Sequence, residues 1–367
     1  MIQFNTVEAQ VELYDSIKWD IAALLPSSSD EQEQLGLAGP VTGIHTNFLI
    51  VGGGANFPDK MPWLGGKKKY YDDLFVFTSD KDSLIHETTF KLPCPIAYGA
   101  SCSTPRGIVY AGGENEEGLS RSAVLIRWND QSKIIDFEAL PQLPFAVANA
   151  SMTSIENKVY LVGGELSDLV SDRSMVLDLD NLSDGWQILS QLPYQVSHAV
   201  MVSQPDGIYL IGGRKRNNGD ITTFYSSVLH FDVDTRVWSP RAELPYGLSA
   251  GTGLMIDHTS ILLFGGDSGE TFHKAESLIL AVNKEADLSE KERLNQEKIV
   301  VQTNHPGFNK VILRYDMQTD IWSSAGAIPF DTPVTTNAHL WEGRIIIPSG
   351  EIKAGVRTPY ILSGKLK

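Results

Sequence analysis

GIYLIGGRKRNNGDITTFYSSVLHFDVDTRVWSPRAELP, Gly207 to Pro245, holds one full copy of the pattern that sets the fold. An apolar run from Ile208 to Ile211 ends on the doublet Gly212-Gly213. An alternating stretch, SSVLHFDVDTRVWSP, then carries Trp238, and Pro245 stands seven residues beyond it. Such alternation is that of short strands joined by turns, one face packing inward. The doublet lets the backbone turn sharply at the end of a strand, because glycine adopts positive φ without steric cost. The tryptophan supplies a large ring to bury between sheets.

The same markers recur along the chain. Doublets follow apolar runs in LIVGGG (Gly52-Gly53), VYAGG (Gly112-Gly113), VYLVGG (Gly163-Gly164) and LLFGG (Gly265-Gly266), and IIIPSG offers Ser349-Gly350 as a degenerate sixth. Prolines 26, 93, 144, 193, 245 and 329, usually preceded by leucine, precede the second glycine by 27, 20, 20, 20, 21 and 21 residues. Seven residues before each proline stands Trp19, His86, Phe137, Trp186, Trp238 or Trp322. A period of about 50 residues resembles the kelch repeat, which implies an all-β, six-bladed kelch β-propeller of four-stranded antiparallel blades around a central channel.

The ends complete the count. TPYILSGKLK reads as the third strand of the last blade, and Trp19 marks its fourth strand, so the closing blade is built from both termini and residues 1–367 form one propeller domain. One insertion interrupts the pattern, at about 270–310. It includes EADLSEKERLNQEKI, rich in helix formers with charges at helical spacing, and is expected to be partly helical and to cover one face.

Composition narrows the partners. The net charge of −15 disfavours nucleic acid and anionic membrane surfaces. Two cysteines, Cys94 and Cys102, are too few for a disulfide framework or a thiolate metal site and fit a reducing compartment. The N-terminus has no basic stretch followed by an apolar run, and no run of about 18 apolar residues occurs. A cytoplasmic protein acting on a small molecule, without metal or other cofactor, is expected.

Function on such a scaffold sits on loops over the channel mouth. The residue after each doublet forms a ring of six: Gly54, Glu114, Glu165, Arg214, Asp267 and Glu351. The connections into the first strands add Tyr98, Asn149, His198 and Ser249, with Thr335 in the closing blade. These groups can orient a hydroxylated ligand. A histidine in a first strand is more often structural than catalytic, so His198 enters as a binding candidate. Lys215 and Arg216 read as solvated turn charges, and Lys67-Lys68-Lys69 as surface.

Gly350-Glu351-Ile352-Lys353-Ala354-Gly355-Val356-Arg357-Thr358 resembles the Gly-Glu-x-Lys-x-Gly-x-Arg-Thr signature of the bacterial N-acetylneuraminate mutarotases, also called epimerases. VGGGANFP (Val51 to Pro58) and IAYGAS (Ile96 to Ser101) resemble that family too. The signature lies mid-chain in ordinary members and near the C-terminus here, as in the cyclically permuted branch. Ordinary members carry a secretion signal, which this N-terminus does not offer.

The resemblance implies that Glu351 and Arg357 carry the chemistry: ring opening of a sialic acid or related sugar acid, and its reclosure on the other face. A carboxylate suits removal of the anomeric proton. The planar fork of arginine suits the sugar carboxylate. By spacing alone, a surface Glu–Arg pair worth ~0–1 kcal/mol remains open. Serine and proline at Ser349 and Pro348 are expected to shift the turn before Glu351. The competing reading is a non-enzymatic kelch propeller that binds a protein, peptide or carbohydrate on its loop face. A sialidase would need repeated Ser-x-Asp-x-Gly-x-Thr-Trp turns, which are missing, and neither cysteine sits in a convincing copper-ligand set.

Overall fold

A computed structural model describes residues 17–27 and 33–366. Six antiparallel sheets succeed one another around an axis. The fourth is typical, with strands Val200–Gln204, Gly207–Ile211, Val228–Asp232 and Val237–Arg241 in sequence order from axis to rim. The sixth joins His339–Trp341, Arg344–Pro348 and Tyr360–Lys365 to Lys18–Leu24, with Trp19 opposite Gly364. The propeller therefore closes with a strand from the start of the chain, as the split repeat implies.

The core lies between blades. One apolar cluster joins Val109 and Leu125 of the second blade to Val159, Leu161, Met175 and Leu177 of the third. Another joins Phe264 and Ile312 of the fifth to Ile345, Leu362 and Trp19 of the sixth. The marker rings seal these seams. Trp322 stacks on Tyr315 at 4.8 Å and donates its Nε1 hydrogen to the Ala242 carbonyl of the preceding blade (2.9 Å). Trp186 does the same with the Pro141 carbonyl (2.8 Å). Trp19 instead lies over Gly364, where a Cβ would meet its ring carbons at 3.1 Å, and among the described residues its Nε1 is buried without a partner.

The insertion forms two helices, α1 (Glu270–Lys284) and α2 (Leu288–Thr303), with Asp287 capping the second by accepting from Glu290 N. Trp63 Nε1, from the loop of the first blade, donates to Thr303 Oγ1 at 3.2 Å, so α2 reaches across the mouth. No helix among the described residues is long and apolar enough to cross a membrane.

Three local expectations need correction. The doublet of the first blade is Gly53-Gly54, not Gly52-Gly53: Gly54 N bonds the Ile96 carbonyl as Gly113 N bonds that of Val147. Ala55, not Gly54, therefore follows it. The turn before Glu351 is not shifted. Ser349 takes the left-handed φ of 54°, and its hydroxyl replaces lost turn contacts by accepting from Leu37 N and donating to the Thr358 carbonyl (both 2.8 Å).

The third correction concerns the entry to the first strands, where Ala250 rather than Ser249 holds the repeated position. Gly39, Tyr98, Asn149, His198, Ala250 and Thr335 all have φ between 54° and 61°. Each donates its backbone N–H to the carbonyl of its counterpart in the preceding blade, at 2.7 to 3.0 Å, and Gly39 donates to Thr335, which closes the circle. Six peptide groups thus form a waist across the channel. On the strand side lies a cavity of about 460 Å³ lined by hydroxyls. These bond one another between blades: Asn337 Nδ2 donates to Ser101 Oγ (3.0 Å), and His339 Nε2 lies 3.0 Å from Thr42 Oγ1. Burial pushes the His339 imidazole down to about 4.

Candidate functional site

On the loop side of the waist lies a second cavity of about 510 Å³, and all eight candidate residues line it: Glu351, Arg357, Arg214, His198, Asn149, Tyr98, Glu165 and Glu114. The repeat itself accounts for this convergence. In five blades the residue after the doublet forms a β-bridge with the residue just before the waist, as Glu114 does with Ala97 and Arg214 with Ser197. Each of these five blades therefore delivers one loop side chain beside one waist side chain.

Glu351 and Arg357 sit opposite each other on a two-stranded hairpin, Glu351–Lys353 with Val356–Arg357. Glu351 Oε1 accepts from Gly355 N at 2.8 Å, which orients the carboxylate within its own turn. Arg357 Nη1 approaches the same oxygen at 3.4 Å without hydrogen-bond alignment. Among the described residues Arg357 Nε and Nη1 are buried with no hydrogen-bond partner, the side chain is only 4% exposed, and its guanidinium lies 4.8 Å over the Phe57 ring. A charged group left short of partners in a desolvated site costs several kcal/mol unless something completes its bonding. Arg357 lines the cavity, so a ligand entering it meets this side chain.

Arg214 and His198 form a second unit. Arginine can only donate, so His198 Nε2, 3.0 Å from Arg214 Nη2, is the acceptor, and its neutral ring carries hydrogen on Nδ1. Nδ1 faces Ser197 Oγ at 3.1 Å and Glu165 Oε1 at 3.8 Å. Burial, with the Arg214 charge second, holds His198 well below its ordinary range, so it is neutral at pH 7. Burial also lowers Arg214, against the opposing fields of Glu165, Asp267 and Glu351. Its guanidinium lies 5.0 Å from the centre of the Phe272 ring on α1. Asn149 Nδ2 donates to Glu165 Oε2 (3.2 Å).

The third unit was not legible in the sequence. Lys68, expected at the surface, points into the cavity: its Nζ contacts Glu114 Oε1 at 2.8 Å and lies 4.6 Å over the Tyr98 ring. The loop returns because a two-residue strand, Lys69–Tyr70, pairs with Asn56 and Ala55. Tyr70 Oη donates to the same Glu114 oxygen (2.8 Å), and burial with this bond pushes Tyr70 up to about 12. Burial pulls Lys68 down, but Tyr98 and Glu114 outweigh it, so Lys68 lies above the usual lysine range. Phe57, Phe272 and His305 were also missed. Phe57 stands in the quoted VGGGANFP stretch, whereas Phe272 and His305 come from the insertion, which no repeat position predicts.

Among the described residues no group of three or more His, Cys, Asp or Glu could hold a metal ion. The chemistry on offer is that of a carboxylate beside an unsatisfied arginine, a second arginine with a neutral imidazole, and a wall of aromatic rings.

Fold and site together define a six-bladed propeller with a polar pocket at its loop face, where two arginines, a lysine and a neutral histidine lie among several carboxylates. The family described as N-acetylneuraminate epimerase matches residues 140–367, and the chain belongs to it. It is 27% identical over 235 residues to the N-acetylneuraminate epimerase of Brucella melitensis biotype 1, covering 60% of this chain and 58% of that protein. It is 30% identical over 128 residues to that of Brucella suis, 32% of each chain, and 34% identical over 119 residues to that of Salmonella enteritidis PT4, 30% of each. The chain thus matches less than two thirds of the length of these relatives.

Proposed function

We propose that this protein interconverts the α and β anomers of N-acetylneuraminate or a closely related sugar acid. The observation that carries the reading is the buried Arg357, short of hydrogen-bond partners and beside the Glu351 carboxylate in one cavity. In this reading Arg357 binds the sugar carboxylate through its planar fork, and Glu351 removes the proton of the anomeric hydroxyl. Arg214, with its neutral His198, and the Asn149–Glu165 pair hold other polar groups of the sugar, and Glu114 keeps Lys68 in place beside Tyr98. The aromatic rings of Phe57 and Phe272 exclude water around the arginines, which strengthens both charge contacts. Reaction and binding here need no metal and no nucleotide.

The test is proton NMR of freshly released α-N-acetylneuraminate, following the anomer ratio with and without the protein. Acceleration of the approach to equilibrium is expected. No acceleration, with no sugar binding, would replace this reading by a propeller that presents its loop face to a protein or peptide.

A further inference from the structure

Opening the sugar ring needs an acid as well as a base, because the ring oxygen must gain a proton as its bond to the anomeric carbon breaks. Several donors line the cavity, and their protons are mostly committed. Tyr70 gives its hydrogen to Glu114. Lys68 is held by the same carboxylate. The His198 proton sits on Nδ1, toward Ser197 and Glu165, while Nε2 accepts from Arg214. His305 accepts from Gly307 N through Nδ1 (3.1 Å), and burial keeps it below its ordinary range; a neutral imidazole N–H is a poor acid. Arginine does not release its proton.

Tyr98 differs from all of these. Its hydroxyl oxygen accepts from Arg357 Nη2 at 3.4 Å, which leaves its own hydrogen free to point into the cavity. Tyr98 belongs to the second blade and Arg357 to the sixth, and Gly39 of the first blade makes the reach possible. A Cβ on Gly39 would stand 2.6 Å from Tyr98 Cδ1, so the ring passes through the space a side chain would occupy. Lys68 Nζ covers the ring face. Negative charge that builds on the phenol oxygen as its proton leaves thus faces two fixed cations.

We infer that Tyr98 is the general acid of the reaction, acting opposite Glu351 across Arg357; this rests on the mutarotase reading above. In the opening step Glu351 takes the hydrogen of the anomeric hydroxyl, and that O–H electron pair becomes the second bond of the ketone. The ring oxygen leaves with the pair from its broken bond to the anomeric carbon and takes the Tyr98 proton. The open-chain keto acid then faces a protonated Glu351 and a Tyr98 phenolate. Reclosure on the other face returns both protons, so no proton or electron is gained or lost over the cycle.

Tyr98→Phe isolates the hydroxyl, because it keeps the aromatic face under Lys68 and a residue able to hold the waist. Anomer exchange by NMR and sialic-acid affinity by calorimetry are measured on native protein and variant, with kcat and KM determined for both. The expected result is a kcat lower by ~10²–10⁴-fold, with affinity and KM within about threefold of native. A variant with a rate within about threefold of native overturns the assignment while leaving the mutarotase reading intact. So does a loss of affinity that accounts for the whole loss of rate. A native protein that binds sialic acid without accelerating exchange overturns both.

Discussion

Replacing Trp19 tests the closure of the ring at a single side chain. The residue is 7% exposed and lies in the cluster between the fifth and sixth blades, edge-on to Phe264 at 5.8 Å between ring centres. Truncation of a buried Trp to Ala costs ~3–5 kcal/mol through lost transfer energy and the cavity left behind, so Trp19→Ala should lower unfolding stability by about that amount. Trp19→Phe should behave differently. It keeps an aromatic edge for Phe264 and removes an indole N–H that is buried without a partner among the described residues. Relief of that orphaned donor, ~1–3 kcal/mol, offsets the lost volume, leaving a net change within about 1 kcal/mol. The assay is urea unfolding followed by far-ultraviolet circular dichroism, which does not depend on the tryptophan removed. A Trp19→Ala protein within about 0.5 kcal/mol of native would refute closure by this strand. A Trp19→Phe protein as unstable as the alanine variant would show that the indole nitrogen has a partner after all. Deleting residues 1–26 should go further, exposing the edge of Tyr360–Lys365 and promoting aggregation.

Glu351→Gln should slow anomer exchange by ~10²–10⁴-fold with binding largely kept, and an active variant would remove Glu351 from the mechanism. Arg357→Lys keeps a charge but loses the fork, so calorimetric affinity should fall; unchanged affinity would count against a carboxylate clamp. His339 and His198 are both held neutral when folded but bind protons near pH 6.5 when unfolded, so the unfolded state takes up more protons and stability falls as pH drops below about 6.5. For His339, shifted from 6.5 to about 4, this loss is on the order of 3 kcal/mol and is complete below pH 4; His339→Gln should flatten the slope, and an unchanged slope would refute it. Replacing residues 270–303 by a short Gly/Ser linker should leave the melting temperature nearly unchanged and weaken sugar binding, because α1 brings Phe272 to Arg214. Equal affinity would make the helices dispensable to the site.

What the sequence disclosed follows its periodicity. Trp322, Trp238 and Trp186 mark equivalent seams because each repeat must bury the same ring, and Arg214 meets His198 because both occupy repeat positions of one blade. Errors arose where a repeat offers two registers. Three consecutive glycines, Gly52 to Gly54, hide which pair makes the turn, and only the bond from Gly54 N to Ile96 decides it. Ser249 and Ala250 differ in φ, which composition does not encode. Lys68 was misplaced for another reason: its entry into the cavity depends on the pairing of Tyr70 with Ala55, a contact between segments with no periodic mark. Helix propensity revealed the insertion as helical, but the position of Phe272 against Arg214 depends on how α1 docks.

The waist of six peptide bonds has a bearing on how such a protein could acquire new ligands. Its bonds run head to tail around the axis, so their dipoles largely cancel across the circle and the platform adds little net dipole to the channel. Only main-chain atoms hold it together, and Gly, Tyr, Asn, His, Ala and Thr all occupy it in the same left-handed conformation. For a residue with a side chain that conformation costs ~1–2 kcal/mol, which the closed circle and the packed blades sustain jointly. Side chains on the platform are therefore released from structural duty. Outside Gly39, whose side-chain space Tyr98 fills, selection can exchange them singly, each beside its own loop partner, and re-specify the ligand one blade at a time while the platform stays in place.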